Sequence, residues 1–395
     1  MTDSRAGARA ASRDDDAGVA ARRVALDALI QIEKDDAYAN LRLDAVLRRS
    51  KLDERDRRLV TDLVYGSIRR RRSLDFLADR FLSSPPAAPA RAALRLGAYQ
   101  LRFTDIPDHA AVSATVSAVP PRTRGLVNAI LRKIATAPVE WPDDATRLSY
   151  PDWIVERVNN DLGPIDGLAA LETMNAAPQV TLRDDGYTQD LASQWVAELV
   201  GACDGEVVVD LCAAPGGKAT AMGASGATVV AADVRPGRVG LVAANAVRTG
   251  AASVFALVAD GRHPAVRPGI ADRVLVDAPC SGLGVLRRRV DARWRIRPGD
   301  VDNLAVLQRE LLEAALCLVR PGGRLVYSVC TLTRAESVDV ASAFGDAHPE
   351  LEAEPVTGGP WREWGDGAIL LPQDADTDGM CVFRWRVPSP IASAT

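Results

Sequence analysis

Residues 206–220 read EVVVDLCAAPGGKAT, and the fold turns on how this stretch is parsed. Three valines between Glu206 and Asp210 make a short apolar run suited to a strand covered on both faces. After Asp210 the chain enters a Pro-Gly-Gly turn and reaches Lys218, Ala219 and Thr220, which begin a helix. In a strand, glycine turn and helix of this kind, backbone N–H groups approach a ligand at the positive end of the helix. It is not a P-loop, because Ala219 rather than Ser or Thr follows the lysine. It is not GxGxxG either, which disfavours a pyrophosphate-bearing dinucleotide.

Working outward, four more runs share this texture: ATVVAADV (227–234), SVFALVA (253–259), DRVLVDAP (272–279) and GRLVYSV (323–329). Helical stretches lie between them, the clearest being DVDNLAVLQRELLEAALCLV (300–319). The alternation predicts a doubly wound α/β domain over 201–388, with ligands at the carboxyl ends of its strands. Three of those ends carry aspartate: Asp233, Asp260 and Asp277. A carboxylate after the second strand suits the two hydroxyls of a ribose, so the ligand is expected to be nucleoside-like. Lys218 is one of four lysines against 44 arginines, which marks it as a chosen ammonium.

Upstream the period changes. Ala25, Ala28, Leu29 and Ile32, then Val60, Leu63, Val64 and Ile68, fall on helical faces, predicting an all-α bundle over 21–140. Residues 1–20 read as a flexible tail, and 141–200 as a small connecting α+β segment with a strand and turn at VTLRDDG (180–186). A chain of 395 residues accommodates that many domains. Charge is uneven. Residues 1–140 hold 25 Lys and Arg against 18 Asp and Glu, within a whole chain of net charge −4, a hint of a polyanionic partner.

Several classes are disfavoured. No run approaches the ~18 apolar residues of a membrane span, so no membrane partner is expected. The opening MTDSRAGARAASRDDDAG has no apolar core, so a secretory signal is not expected. Six cysteines without a CxxC pair, beside three histidines (His109, His263, His348), suit a reduced cytoplasmic protein without a metal. A monomer is expected.

Two cysteines stand out. Cys280 in VDAPCSGLG (276–284) and Cys330 in YSVCT (327–331) each follow a buried run directly. Singly they could be core filler; together, beside a nucleoside pocket, they suggest thiol chemistry.

With these motifs in hand, CAAPGGKAT, DAPCSGLGVLRRRVDARW and YSVCTLTRAES resemble those of Sun/Fmu-type (RsmB-like) RNA cytosine-C5 methyltransferases. RRVALDALIQI, DERDRRLVTDLVYGSIRRRRSLDFL, LRLGAYQLRF, PDHAAVSATVSAV and LVNAILRKI resemble the NusB-like RNA-binding domain of the bacterial small-subunit rRNA members. The resemblance implies a multi-domain protein: a NusB-like bundle, a small α+β segment and a Rossmann-like class I methyltransferase domain using S-adenosylmethionine. It implies that Cys212, Ala213, Ala214, Pro215, Gly216, Gly217 and Lys218 line the methionine and ribose parts of that cofactor. Asp233 would take the ribose hydroxyls, Asp260 the adenine side, and Asp277 would lie between cofactor and cytosine. Cys330 would be the nucleophile and Cys280 the thiol assisting release, whereas a Pro-Cys nucleophile is the DNA-enzyme pattern. Two departures touch positioning: Ala219 where the family has Thr, and Ser337 where it has Asn.

For the RNA itself, Arg287, Arg288, Arg289 and Arg293 with Trp294 form a basic strip able to grip phosphates and stack a base, joined by Arg55, Arg57, Arg58 and Arg69–Arg72. Small-subunit rRNA is the expected partner. The rival substrate is tRNA or another RNA. A rival of another class is a non-enzymatic RNA-binding or antitermination factor, which retention of both cysteines and the aspartates argues against.

Overall fold

A computed structural model describes residues 3–389, with side chains from Gly18 onward. The chain forms two units. One comprises the residues up to Val155 together with Arg289–Trp294, and the other Glu156–Arg288 with the residues from Arg295.

The first unit is helical: α1 (Asp3–Lys34), α2 (Ala39–Arg49), α3 (Glu54–Arg69), α4 (Arg71–Asp79), α5 (Ala88–Phe103), α6 (Asp108–Ala118), α7 (Pro121–Thr136) and α8 (Asp144–Leu148). Its core is the periodic face of the sequence, with Ala25, Ala28, Leu29, Val60, Leu63, Val64 and Ile68 all buried. Asp53 caps α3 by accepting from the Asp56 N–H at 2.8 Å. The stretch read as a tail over 1–20 is helical from Asp3 on, within α1. Its Ala- and Arg-rich, proline-free composition favours helix over coil. Met1 and Thr2 lie outside the described residues.

Residues 289–294 belong to this unit although they follow the Pro-Cys motif in sequence. Val290 is part of the helical core, and Asp291 accepts from the Ala39 N–H at 3.2 Å.

The second unit is built on one nine-stranded sheet: β1 (Val207–Asp210), β2 (Thr228–Asp233), β3 (Val254–Val258), β4 (Ala271–Asp277), β5 (Val319–Val329), β6 (Glu352–Ala353), β7 (Arg362–Trp364), β8 (Gly367–Leu370) and β9 (Met380–Arg386). The order is β3-β2-β1-β4-β5-β9-β8-β7, with β6 also on β9. The first five strands are parallel, and the additions beyond β5 are antiparallel. Strand order reverses between β1 and β4, so their carboxyl ends open the crevice where such sheets bind ligands. Helices α10 (Pro164–Thr173), α11 (Leu191–Val200), α12 (Gly217–Gly223), α13 (Pro236–Thr249), α15 (Pro298–Leu316), α16 (Val338–Ala347) and α17 (Pro372–Ala375) lie in this unit, while α9 (Asp152–Leu162) and α14 (Ala292–Arg295) span the division between the two.

The parallel strands are the five Val-rich runs of the sequence. The segment 141–200 is not a unit of its own: it is divided at Val155/Glu156 and is mainly helical. The strand expected at VTLRDDG contracts to a single bridge, Leu182 to Thr188, because its turn pairs it only with itself.

Candidate active site

The glycine turn leaves β1 and enters α12. Gly216 has φ +103, and a Cβ there would come within 3.1 Å of the Val242 backbone. A Cβ on Gly217 would lie 3.1 Å from the Tyr187 ring, so the backbone here is bare on the side facing α13 and the 181–189 hairpin. The carbonyls of the turn are held from behind. Arg238 donates to Ala214 O, Asn245 Nδ2 to Pro215 O at 2.8 Å, and Arg183 to Gly217 O. Thr220 Oγ1 donates to Gly216 O at 2.9 Å, so a hydroxyl is present one residue beyond buried Ala219.

Four carboxylates stand at strand ends. Asp210 ends β1, is 1% exposed, and its Oδ2 has no hydrogen-bond partner. Burial, then the negative charge of Asp277, pushes its pKa up to about 8. Asp233 ends β2, is buried, and accepts from the Arg235 N–H at 3.0 Å. Asp260, just beyond β3, is paired with Arg262 at 2.8 Å, whose hydrogen bonds hold its carboxyl down to about 2. Asp277 ends β4 and accepts from Lys218 Nζ at 2.8 Å and Ser328 Oγ at 2.7 Å. Burial pulls the Lys218 pKa down, yet Asp277 more than offsets it, so the pKa is raised and the ammonium persists. Sequence reasoning missed Asp210; its signal is the aspartate that closes the first strand, in the same position as the other three.

The two cysteines meet. β4 and β5 are parallel neighbours with Asp277 opposite Ser328, so the chains leave both strands side by side. Cys280 and Cys330 are partly exposed and their Sγ atoms are 3.3 Å apart. The Cys280 pKa is raised by its hydrogen bond with Cys330, then by burial and by the charges of Cys330 and Glu336. Of the others, Cys381 is buried, with its thiol pushed up to about 12 by burial, and Cys212 is shifted upward mainly by burial and Asp210. Cys203 and Cys317 are exposed away from this cluster of contacts. Ser337 donates from Oγ to Thr333 O and accepts from Trp364 Nε1 at 3.0 Å, so its polar group is fully used.

The basic strip is corrected in large part. Arg287 is 1% exposed, donates to Thr377 O and Ala177 O, and pairs with Asp376 at 2.9 Å. Arg288 bridges Asp190 and Asp378 at 2.6 and 2.9 Å. Arg293 is fully buried, donates to Arg69 O and Ser149 O at 3.1 and 3.3 Å, and covers the Tyr150 ring at 4.0 Å. Trp294 donates from Nε1 to Ile68 O at 2.8 Å. A guanidinium satisfies several carbonyls at once, which is why these arginines serve the interior instead of phosphates. Arg289 is the member of the strip that stays exposed. In the helical unit Arg72 is likewise engaged, with Thr146 Oγ1, Tyr150 O and Asp152, and Arg57 donates to Leu47 O.

No three His, Cys, Asp or Glu side chains among the described residues form a metal site, and no described helix is long and apolar enough to cross a membrane.

Two family models match this chain: 16S rRNA methyltransferase RsmB/F over residues 198–385, and the NusB family over 19–136. The ribosomal RNA small subunit methyltransferase B of Thermus thermophilus is 39% identical, the match covering 85% of this chain and 89% of that protein. The protein of that name from Salmonella typhi is 31% identical, over 83% and 90%. The crystal structure of PH0851 has the same fold, with a TM-score of 0.75 at 23% identity over 93% of this chain and 98% of that one.

Proposed function

The chain belongs to the RsmB/F family of methyltransferases and carries that family's catalytic domain behind a NusB domain; from this premise we propose that it methylates C5 of a cytosine in small-subunit rRNA through a covalent Cys330 adduct. The observation that carries the reading is the pair of partly exposed thiols 3.3 Å apart, at the ends of two strands that also present Asp277 with Lys218.

S-adenosylmethionine, when bound, supplies an electrophilic methyl group on a sulfonium. The residues around the β1 turn fit it. Asp210 Oδ2 is a buried acceptor without a partner at the carboxyl end of β1, beside the turn. Cys212 to Lys218 would cradle the methionine and ribose parts, Asp233 the ribose hydroxyls, and Asp260, steadied by Arg262, the adenine side.

Cytosine C5 is a weak nucleophile on its own. The Cys330 thiolate adds to C6, which makes C5 an enamine carbon able to take a methyl group. Solvent water or a base at the site then takes the C5 proton; the C5–H electron pair forms the C5–C6 double bond, and the S–C6 pair leaves on the sulfur of Cys330. Cys280, whose Sγ lies 3.3 Å from that of Cys330, assists release by donating its S–H to the departing thiolate. Asp277, anchored by Lys218 and Ser328, orients the base edge. The base has to be unpaired or flipped out to be reached.

The test is adduct trapping. Wild type, Cys330→Ala and Cys280→Ala are incubated with small-subunit rRNA and S-adenosylmethionine and run on a denaturing gel. Cys280→Ala should accumulate a protein–RNA adduct, and Cys330→Ala should form none and transfer no methyl. The reverse pattern makes Cys280 the nucleophile and overturns this division of roles between the two thiols.

A further inference from the structure

The interior behind the two thiols holds a charged group that the proposed reaction does not use. Glu336, six residues past Cys330, is fully buried. Its Oε1 accepts from the Ser281 N–H at 2.6 Å and from Gln308 Nε2 at 3.4 Å. Its Oε2 accepts from Ser281 Oγ, and from Thr331 Oγ1 and Thr333 Oγ1 at 3.0 Å each. Gln308 Nε2 also donates to Pro279 O at 2.9 Å, while Gln308 Oε1 accepts from Tyr327 OH at 3.0 Å. The single proton of Tyr327 OH is shared with Glu336 O, the nearer acceptor at 2.6 Å. The residues on both sides of Cys280 and the residue after Cys330 therefore converge, directly or through Gln308, on one carboxylate.

A buried carboxylate is costly to desolvate, and here five donors offset that cost. The choice of residue type is informative. An ionised carboxylate accepts from all five donors, whereas an amide must either turn its NH2 toward the Ser281 N–H and lose that bond or donate it to the hydroxyls, which would then have to reverse and find other acceptors. The two cysteine segments also differ in how much they depend on it. Cys330 has anchors of its own: Val329 is paired with Cys381 in the sheet, Cys330 O accepts from the Gly284 N–H at 3.0 Å, and Thr331 O accepts from the Cys381 thiol. Beyond the Ala278 N–H bond to Ser328 O, the polar ties around Pro279–Ser281 run chiefly to Glu336 and Gln308.

We propose that Glu336 is a positioning residue that fixes the Cys280 segment against the better-anchored Cys330, so that its loss impairs release of the methylated base more than attack on it. This rests on the two-thiol reading above. The negative charge of Glu336 also helps keep Cys280 protonated, in line with the assisting role.

The experiment uses the full chain with Glu336→Gln, Ser281→Ala, Cys280→Ala and wild type side by side. S-adenosylmethionine binding by equilibrium dialysis reports a folded site and should stay within about threefold of wild type. Turnover on small-subunit rRNA should fall about 10- to 100-fold in Glu336→Gln, the scale expected for a displaced catalytic group. The trapped-adduct fraction should rise toward that of Cys280→Ala, and Ser281→Ala, which removes one donor, should be intermediate. A merely structural role would lower activity without raising the adduct. If Cys280→Ala accumulates adduct and Glu336→Gln, with binding intact, does not, the positioning role is refuted. If Cys280→Ala itself accumulates none, the two-thiol reading fails and takes this inference with it. Should Glu336→Gln lose cofactor binding through misfolding, Ser281→Ala decides: an adduct fraction equal to wild type overturns the proposal.

Discussion

Asp210→Asn isolates one strongly shifted titration in the site. An ordinary aspartate titrates at 3.8, and burial lifts Asp210 to about 8. Between those values the folded protein keeps a proton that the unfolded chain has lost. Stability therefore falls by about 1.4 kcal/mol for each pH unit gained across that window. Below pH 4 both states are protonated and the group contributes nothing; above pH 8 both are ionised and the whole penalty is present. If the full shift is realised the penalty is about 6 kcal/mol, and if relaxation around the ion halves it, it remains about 3 kcal/mol. Asparagine does not titrate. Its amide, facing a place without a partner, adds a constant cost that does not vary with pH. Urea unfolding of both proteins without cofactor, at half-unit steps from pH 5 to 9, reads the difference directly. The stability of Asp210→Asn relative to wild type should climb through this range and level off above pH 8. Parallel curves over the whole range would show that Asp210 is not a neutral acid in the folded protein, and the reasoning from its burial would fail.

Two further outcomes follow from the geometry. Arg293→Ala removes bonds to two buried carbonyls and the cover over Tyr150, and should destabilise the helical unit by about 3 kcal/mol, seen as an earlier thermal transition. In RNA-binding titrations the salt dependence of Arg293→Ala should match wild type, whereas exposed Arg289→Ala should lower the slope by about 1 if it contacts a phosphate. At Gly284 a Cβ would fall 2.3 Å from Gly379 O and 3.0 Å from Cys330 O. Gly284→Ala must therefore push apart the backbones behind Cys330, at a cost of about 1–3 kcal/mol, and methyl transfer should drop at least tenfold with cofactor binding retained.

Much of the molecule was legible in its sequence for local reasons. Valine runs closed by aspartate, a glycine turn before Lys218 and helical periodicity in the first 140 residues are short-range patterns. Local conformational preference and burial make them unambiguous. The antiparallel strands β6–β9 were not legible, since runs of two to seven residues acquire their meaning only from the pairing of β9 with β5 and of the others with β9 or β8. The arginine strip misled because side-chain burial is not a local property. RRRVDARW reads as a cationic surface in sequence, yet Arg287 and Arg293 spend their donors on interior carbonyls.

The active site divides the same way. Composition and motif order already selected two cysteines, a lysine and strand-end carboxylates, because a thiol and an acid have fixed chemistry wherever they stand. That Cys280 and Cys330 lie 3.3 Å apart depends on the parallel register of β4 and β5, which joins residues fifty positions apart. That the Asp210 pKa is raised and Glu336 is saturated with donors depends on what the folded chain brings to each. Field, burial and hydrogen-bond supply are sums over neighbours distant in sequence, so only the tertiary structure decided them.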